Sequence, residues 1–205
     1  MNLVRAFIAL DIPAALQHTL HDSTANLRSE IGPLVRWVPV ENIHITLKFL
    51  GDVPTAGLDA LKDMLRAEAE TCHPFDMLIG GIGSFPSPKR PRVIFIGIQV
   101  PAGLEALYRR IESACTRLGF PPEPREFSPH LTFGRVRQYI DAVDGQKIRR
   151  ALESSTIDSL GTARVDSVQL YKSDLKSNGA IYTRLFSAPF HAVIASHEVV
   201  KQSPR

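Results

Sequence analysis

One pattern occurs twice in this chain, and it limits the folds the chain can adopt. Residues 41–51 read ENIHITLKFLG and residues 126–136 read EFSPHLTFGRV. In each, a His is followed two residues later by a Thr, with apolar residues between and after. Side chains alternate between the two faces of a strand, so His44 and Thr46 share one face while Ile45 and Leu47 point to the other. His130 and Thr132 stand in the same relation to Leu131 and Phe133. A single copy would mean little, because Thr is a good strand former and a His can be structural. Two copies in equivalent contexts mean more. RAFIALD (5–11) and RVIFIGI (92–98) both read as strands, and the spacings from Phe7 to His44 and from Phe95 to His130 are 37 and 35 residues. A helical pattern fills each interval, so the chain carries an internally duplicated strand-helix-strand unit.

The remaining segments suit that scheme. Pro13 opens a helix with Leu16, Leu20, Leu27 and Ile31 on one stripe, and Gly32-Pro33 ends it. Leu58, Leu61, Leu65 and Ala69 mark a second helix, stopped by His73-Pro74. Phe75 to Phe85 is an apolar, Gly-punctuated run that reads as a strand with a bulge or a close backbone contact. In the second half, Leu104, Leu107, Ile111 and Leu118 line another helix, and a weaker one lies within 141–153. Segments 163–172 and 180–187 alternate like a hairpin around Lys176-Ser177-Asn178-Gly179, whose Asn-Gly is a strong turn signal. About seven strands and four helices are expected, in an α+β fold of two similar lobes. Antiparallel-rich sheets should flank a central cleft that carries the His strands. No linker separates independent domains, so residues 1–190 read as one bilobal domain and 191–205 as a C-terminal tail. His191 and His197 fall in the tail and read as non-catalytic.

At 205 residues and 44% hydrophobic, the chain can bury a substantial core. Its apolar runs are broken well before the roughly 18 residues of a membrane span, and its N-terminus lacks a signal-peptide layout, so an intracellular, cytoplasmic protein is expected. Cys72 and Cys115 lack a zinc-ligand pattern beyond the neighbouring His73 and read as reduced and structural. The net charge is only +3, but the segment from Ser84 to Arg137 holds nine Lys or Arg against four Glu. That excess surrounds the second His motif and suits a phosphate-bearing partner. Arg109, Arg110 and Arg117 read instead as a solvated helix face. The loop FPSPKRPR (85–92) sets three prolines among three cations. It reads either as a preorganised basic rim presenting Lys89 and Arg90 or as a solvated connection.

Two imidazoles across a groove can divide proton transfer, one neutral and taking a proton from water, the other protonated and giving one to a leaving oxygen. That division suits in-line displacement at phosphorus. Hydroxyls of Thr46 and Thr132 would hold non-bridging oxygens, and Arg135 would add a fixed charge. Arg135 lies three residues past Thr132, so strict alternation would turn it away; a bulge or strand end at Gly134 is needed to aim it inward, which that glycine permits. The chain lacks a Walker-type phosphate loop, a nucleophilic Lys in a nucleotide-transfer context and a carboxylate cluster for magnesium, so no metal or cofactor is expected. Which His is the acid stays open on these grounds, because microscopic reversibility exchanges the roles.

Paired H-x-T motifs in a duplicated α+β chain resemble the 2H phosphoesterase superfamily. RAFIALDIP, RWVPVENIHITLKFLG, FPSPKRPRVIFIGI, LGFPPEPREFSPHLTFGRV and the segment from VQLYKSDL to NGAIYTRL are similar, in collinear order from about residue 4 to 190, to the bacterial and archaeal RNA 2′,3′-cyclic phosphodiesterases, also called 2′-5′ RNA ligases. The resemblance implies hydrolysis of a 2′,3′-cyclic phosphate at an RNA end to a 2′-phosphate, and weak ATP-independent joining in reverse. It implies His44 as proton donor and His130 as proton acceptor. Substrate-binding candidates are Arg135, Phe7, Lys89 and Arg90. The implied partners are RNA termini, such as those of tRNA fragments, or small cyclic nucleotides, met by a monomer away from membranes. A phosphodiesterase acting on small cyclic nucleotides or 2′-5′ oligoadenylate is one alternative. A non-catalytic RNA-binding module is another, although binding alone does not need two imidazoles.

Overall fold

The computed structural model describes residues 2–176 and 179–191. It begins with β1 (Leu3–Asp11), α1 (Ala14–Ser23), α2 (Ala25–Ile31), β2 (Val35–Trp37), β3 (His44–Pro54), α3 (Leu58–Glu70), β4 (Phe75–Phe85) and β5 (Val93–Ile98). Then follow α4 (Ala102–Arg117), β6 (His130–Val136), α5 (Ala142–Ser154), β7 (Ser159–Val165), β8 (Ser167–Lys176) and β9 (Gly179–Pro189). The α+β class is as expected. The two lobes, however, are halves of one continuous antiparallel sheet in the order β7-β4-β5-β6-β3-β1-β8-β9, with β2 added beside β6. The halves meet along the two His strands, where β3 and β6 share only the pair Ile45↔Leu131.

Each half is completed by a strand from the other repeat. β4 follows the first repeat's helix α3 but pairs with β5 and β7, whereas β8 comes from the second repeat and pairs with β1. This exchange splits the segment read as one strand over 163–172. Asp166 alone separates β7 from β8, although β7 is the first strand in the order and β8 the last but one. A one-residue link between them requires a strongly curled sheet, because a flat one would hold them many 4.8 Å strand spacings apart.

The core lies under the covered faces. Ile8, Leu10, Ile45, Ile96, Leu131 and Phe133 are fully buried, as are Leu61 and Leu65 of α3 and Leu104, Leu107 and Ile111 of α4. Burying each such side chain is worth about 1.5–3 kcal/mol. Helices α3 and α4 pack on each other, with α3 against β8 and β9 and α4 against β3, while α1 meets β7 and α2 meets α5. The single helix expected from Leu16 to Ile31 is two, broken at Thr24. That buried residue turns its hydroxyl back onto the carbonyls of Leu20 (2.9 Å) and His21 (3.0 Å), competing with the helix ladder.

Arg109 pairs with Glu105 on the surface, but Arg110 sits 3.3 Å from Glu68 of α3 and Arg117 3.7 Å from it, so two of the three arginines read as solvated tie α4 to α3. Cys72 and Cys115 are buried and unpaired. The β8–β9 pairing runs to Lys176↔Gly179; the turn residues Ser177 and Asn178, and the tail beyond His191 including His197, lie outside the described residues. His191 donates its backbone N–H to the Cys72 carbonyl at 2.8 Å, well away from the His strands.

Candidate active site

Ile45↔Leu131 is an antiparallel pair, so the register one residue to either side sets His44 across from Thr132 and Thr46 across from His130. All four side chains line a cleft of about 620 Å³. Both imidazoles are held in the same way. Nδ1 of His44 lies 2.8 Å from the Asn42 carbonyl and Nδ1 of His130 lies 2.7 Å from the Ser128 carbonyl. A carbonyl can only accept, so each Nδ1 carries the proton and each Nε2 is left to face the cleft. For His44 that Nε2 sits 3.1 Å from the Thr46 hydroxyl.

The bulge needed to aim Arg135 inward is present. Along β5–β6 the register passes from Phe95↔Thr132 to Ile94↔Gly134, so Phe133 is an extra residue and Arg135 returns to the face of Thr132. Gly134 is required there, because a Cβ would come within 2.9 Å of both the Trp37 ring and the Val35 side chain on β2. Arg135 lines the cleft and makes no ion pair among the described residues.

Burial lowers the pKa of both imidazoles, partly offset by their carbonyl hydrogen bonds. The fields around them differ. The charge of Asp11 raises His44, and Arg135 and His130 lower it; on His130, Arg135 lowers and no carboxylate opposes. Asp11 stands directly opposite His44 in the β1–β3 ladder. Its carboxylate accepts the Tyr171 hydroxyl at 2.8 and 3.0 Å and lies 3.7 Å from Arg184.

Phe7 is not a cleft wall. It is 3% exposed and clusters with His44 (centroids 4.9 Å apart) and Tyr171 (5.3 Å), which are themselves 6.4 Å apart, so it backs the imidazole. On the other side Phe85 and Phe95 pack on His130 at 4.9 and 5.1 Å. Lys89 and Arg90 lie outside the histidine cleft, in a neighbouring basin that shares Pro86 with it.

Three features had escaped the sequence reading. Lys48 is 4% exposed; it donates to Glu112 at 2.6 Å and to the Pro121 carbonyl at 2.7 Å, and Glu112 also accepts the Glu123 N–H at 2.7 Å. This buried knot fastens the loop after α4, whose Glu123, Arg125 and Phe127 close one end of the cleft. Phe49, 63% exposed, and Tyr182 give the cleft aromatic walls. The one available signal was a Lys inside the apolar run of β3. Among the described residues, no group of three or more His, Cys, Asp or Glu is placed to hold a metal.

Two histidine-threonine strands from a duplicated unit, meeting across a cleft with an arginine, define a phosphoesterase of the two-histidine class. The chain belongs to the LigT-like phosphoesterase family: the family described as LigT like Phosphoesterase matches it twice, over residues 10–95 and 96–182, once per repeat. Among curated relatives, the RNA 2′,3′-cyclic phosphodiesterase of Methanothermobacter thermautotrophicus is 34% identical over 88% of this chain and 95% of its own length. That of Methanocaldococcus jannaschii is 33% identical over 87% and 96%. Among solved structures, E. coli LigT complexed with 3′-AMP superposes with a TM-score of 0.71 at 26% identity, covering 92% of this chain and 99% of that one. TT0787 of Thermus thermophilus shares the fold, with a TM-score of 0.77 at 24% identity over 91% and 97%.

Proposed function

We propose that this protein hydrolyses RNA 2′,3′-cyclic phosphate termini to 2′-phosphomonoesters by two-histidine acid/base catalysis. The observation that carries the reading is the pair of Nε2 atoms presented to one cleft beside two threonine hydroxyls and Arg135. In the proposed step, a water oxygen bonds to phosphorus as the bond to the 3′-oxygen breaks. Neutral His130 takes the proton from water, and protonated His44 gives one to the departing 3′-oxygen. Thr46, Thr132 and Arg135 hold the non-bridging oxygens, whose charge grows in the transition state. The division of roles is supported by Asp11, which favours the protonated form of His44 alone, whereas Arg135 disfavours the protonated form of both imidazoles.

With a 5′-hydroxyl in place of water, the same site would open the cyclic phosphate in the same way, the 5′-oxygen bonding to phosphorus as the bond to the 3′-oxygen breaks, and join ends through a 2′-5′ bond. Both histidines come from one chain, which supports a monomer, and the continuous sheet supports residues 1–190 as a single bilobal domain with 191–205 as its tail. Two buried thiols suit a reducing, cytoplasmic setting; no helix among the described residues is long and apolar enough to cross a membrane.

The test is incubation, with EDTA present, of an oligonucleotide ending in a 2′,3′-cyclic phosphate, followed by identification of the product isomer. Formation of the 2′-phosphate is expected. A 3′-phosphate would overturn the choice of leaving oxygen, and no turnover would overturn the activity.

A further inference from the structure

The basin beside the histidine cleft is as large as the cleft itself, about 630 Å³, and its walls differ. Lys89, Arg90, Arg92 and Arg149 line it, and no carboxylate does. Lys89, Arg90 and Arg92 make no ion pair among the described residues, and the nearest partner of Arg149 is Glu153 at 3.7 Å on the exposed surface of α5. The N-terminal end of α5, at Ala142 and Gly145, forms another wall and adds its positive dipole end. The acidic groups near that end are Asp141, whose carboxylate is turned back to accept the Asp144 N–H at 2.7 Å, and Asp144 itself. Next to the wall residue Ile140 stands Tyr139, 90% exposed. The basin adjoins the cleft at Pro86, which lines both; Phe85 and Val93 line the cleft, and Lys89 to Arg92 line the basin.

We infer that this basin is a second binding site, for the phosphodiester backbone of the single-stranded RNA that leads into the terminal nucleotide. The inference rests on the proposed function, which puts the RNA end in the cleft. The strand then leaves over Pro86, its phosphates lie among the four cations, and a base stacks on Tyr139. Cations along the backbone together with an exposed aromatic within reach are how single strands are held without sequence readout, and Tyr139 is the exposed ring next in sequence to the wall residue Ile140. The cleft positions the reacting phosphate, while the basin makes a long RNA a better substrate than a mononucleotide.

The experiment measures binding without turnover. A 5′-fluorescein octanucleotide ending in a 2′-phosphate is titrated by anisotropy over a range of salt concentrations. The Lys89→Ala/Arg90→Ala/Arg149→Ala variant should raise Kd about tenfold or more at low salt and flatten the slope of log K against log salt by roughly 2, at about 0.7 per cation on a single strand. Tyr139→Ala should weaken binding by about 5- to 100-fold and leave the slope unchanged, because stacking releases no counterions.

In parallel, the ratio of kcat/KM for a cyclic-phosphate oligonucleotide to that for a cyclic mononucleotide should fall about tenfold in the triple variant. An unchanged Kd and salt slope in the triple variant would overturn the inference. So would equal weakening toward a heparin fragment combined with no effect of Tyr139→Ala, which would make the basin a general polyanion surface. Failure of the parent protein to hydrolyse the cyclic-phosphate oligonucleotide would count against the proposed function alone, since the anisotropy still decides the basin.

Discussion

The two His strands begin alike and end differently. Directly after the shared His-x-Thr, each carries an extra residue that breaks its ladder, Leu47 in β3, which has a second at Leu50, and Phe133 in β6. The next two positions then diverge. In β3 they are Lys48, buried against Glu112 of α4, and Phe49, exposed at the cleft; in β6 they are Gly134, pressed under Trp37, and Arg135, aimed at the cleft. Behind the histidines the halves differ again. Asp11 stands opposite His44 in the β1–β3 ladder, whereas Gly97, which has no side chain, stands opposite His130 in the β5–β6 ladder. Each repeat supplies one His-x-Thr pair, but the field is unequal: the Asp11 carboxylate acts on His44 alone, whereas the Arg135 charge acts on both imidazoles.

The comparison is broken first at the histidines. His44→Ala and His130→Ala should each lower turnover by roughly 10² to 10⁴ while the protein stays folded, the usual worth of a general acid or base. A variant that loses stability but keeps parent turnover per folded molecule would make that His structural. Lys48 comes next, because its counterpart Gly134 anchors nothing. Lys48→Met strands the Glu112 carboxylate and should cost about 3–5 kcal/mol in a urea titration, much of it recovered in Lys48→Met/Glu112→Leu. A midpoint equal to that of the parent would show that the knot carries no stability.

Smaller effects sharpen the cleft chemistry. Thr46→Val and Thr132→Val keep shape and strand propensity while deleting a hydroxyl, and each should lose roughly 10- to 10³-fold in kcat. Arg135→Lys should impair turnover of a cyclic mononucleotide although charge is retained, because Lys cannot reproduce the forked donors. Parent-like turnover by all three would remove these groups from the mechanism. The smallest effect is on stability against pH. Both imidazoles titrate below their ordinary value when folded, so the unfolded chain binds more protons through this range. Their contribution is whole above about 6.5 and is lost as pH falls through the depressed folded values. Unfolding free energy should decline there, and His44→Ala should flatten the decline.

How much was legible follows from how local each signal is. His44, Thr46, His130 and Thr132 could be read because strand alternation is a property of neighbouring residues, and Arg135 because its required bulge was marked by Gly134 two residues past Thr132. The joining of two lobes into one curled sheet was not legible. The exchange of β4 and β8 between halves depends on pairings such as Ala6↔Lys172, far apart in sequence. Phe7 was readable as a strand residue, but only the neighbouring rings of His44 and Tyr171 show that it supports the imidazole. Thr24 broke a helix that periodicity had made continuous, through hydroxyl contacts that no apolar pattern encodes.

The claim of two unequal histidines on one scaffold is tested most directly by NMR titration of the imidazoles in the parent and in Asp11→Asn, with His44→Ala and His130→Ala assigning the signals. Both imidazoles should titrate below the ordinary value of about 6.5, and Asp11→Asn should lower His44 further while leaving His130 in place. An Asp11→Asn variant that shifts both histidines equally, or neither, would contradict the account.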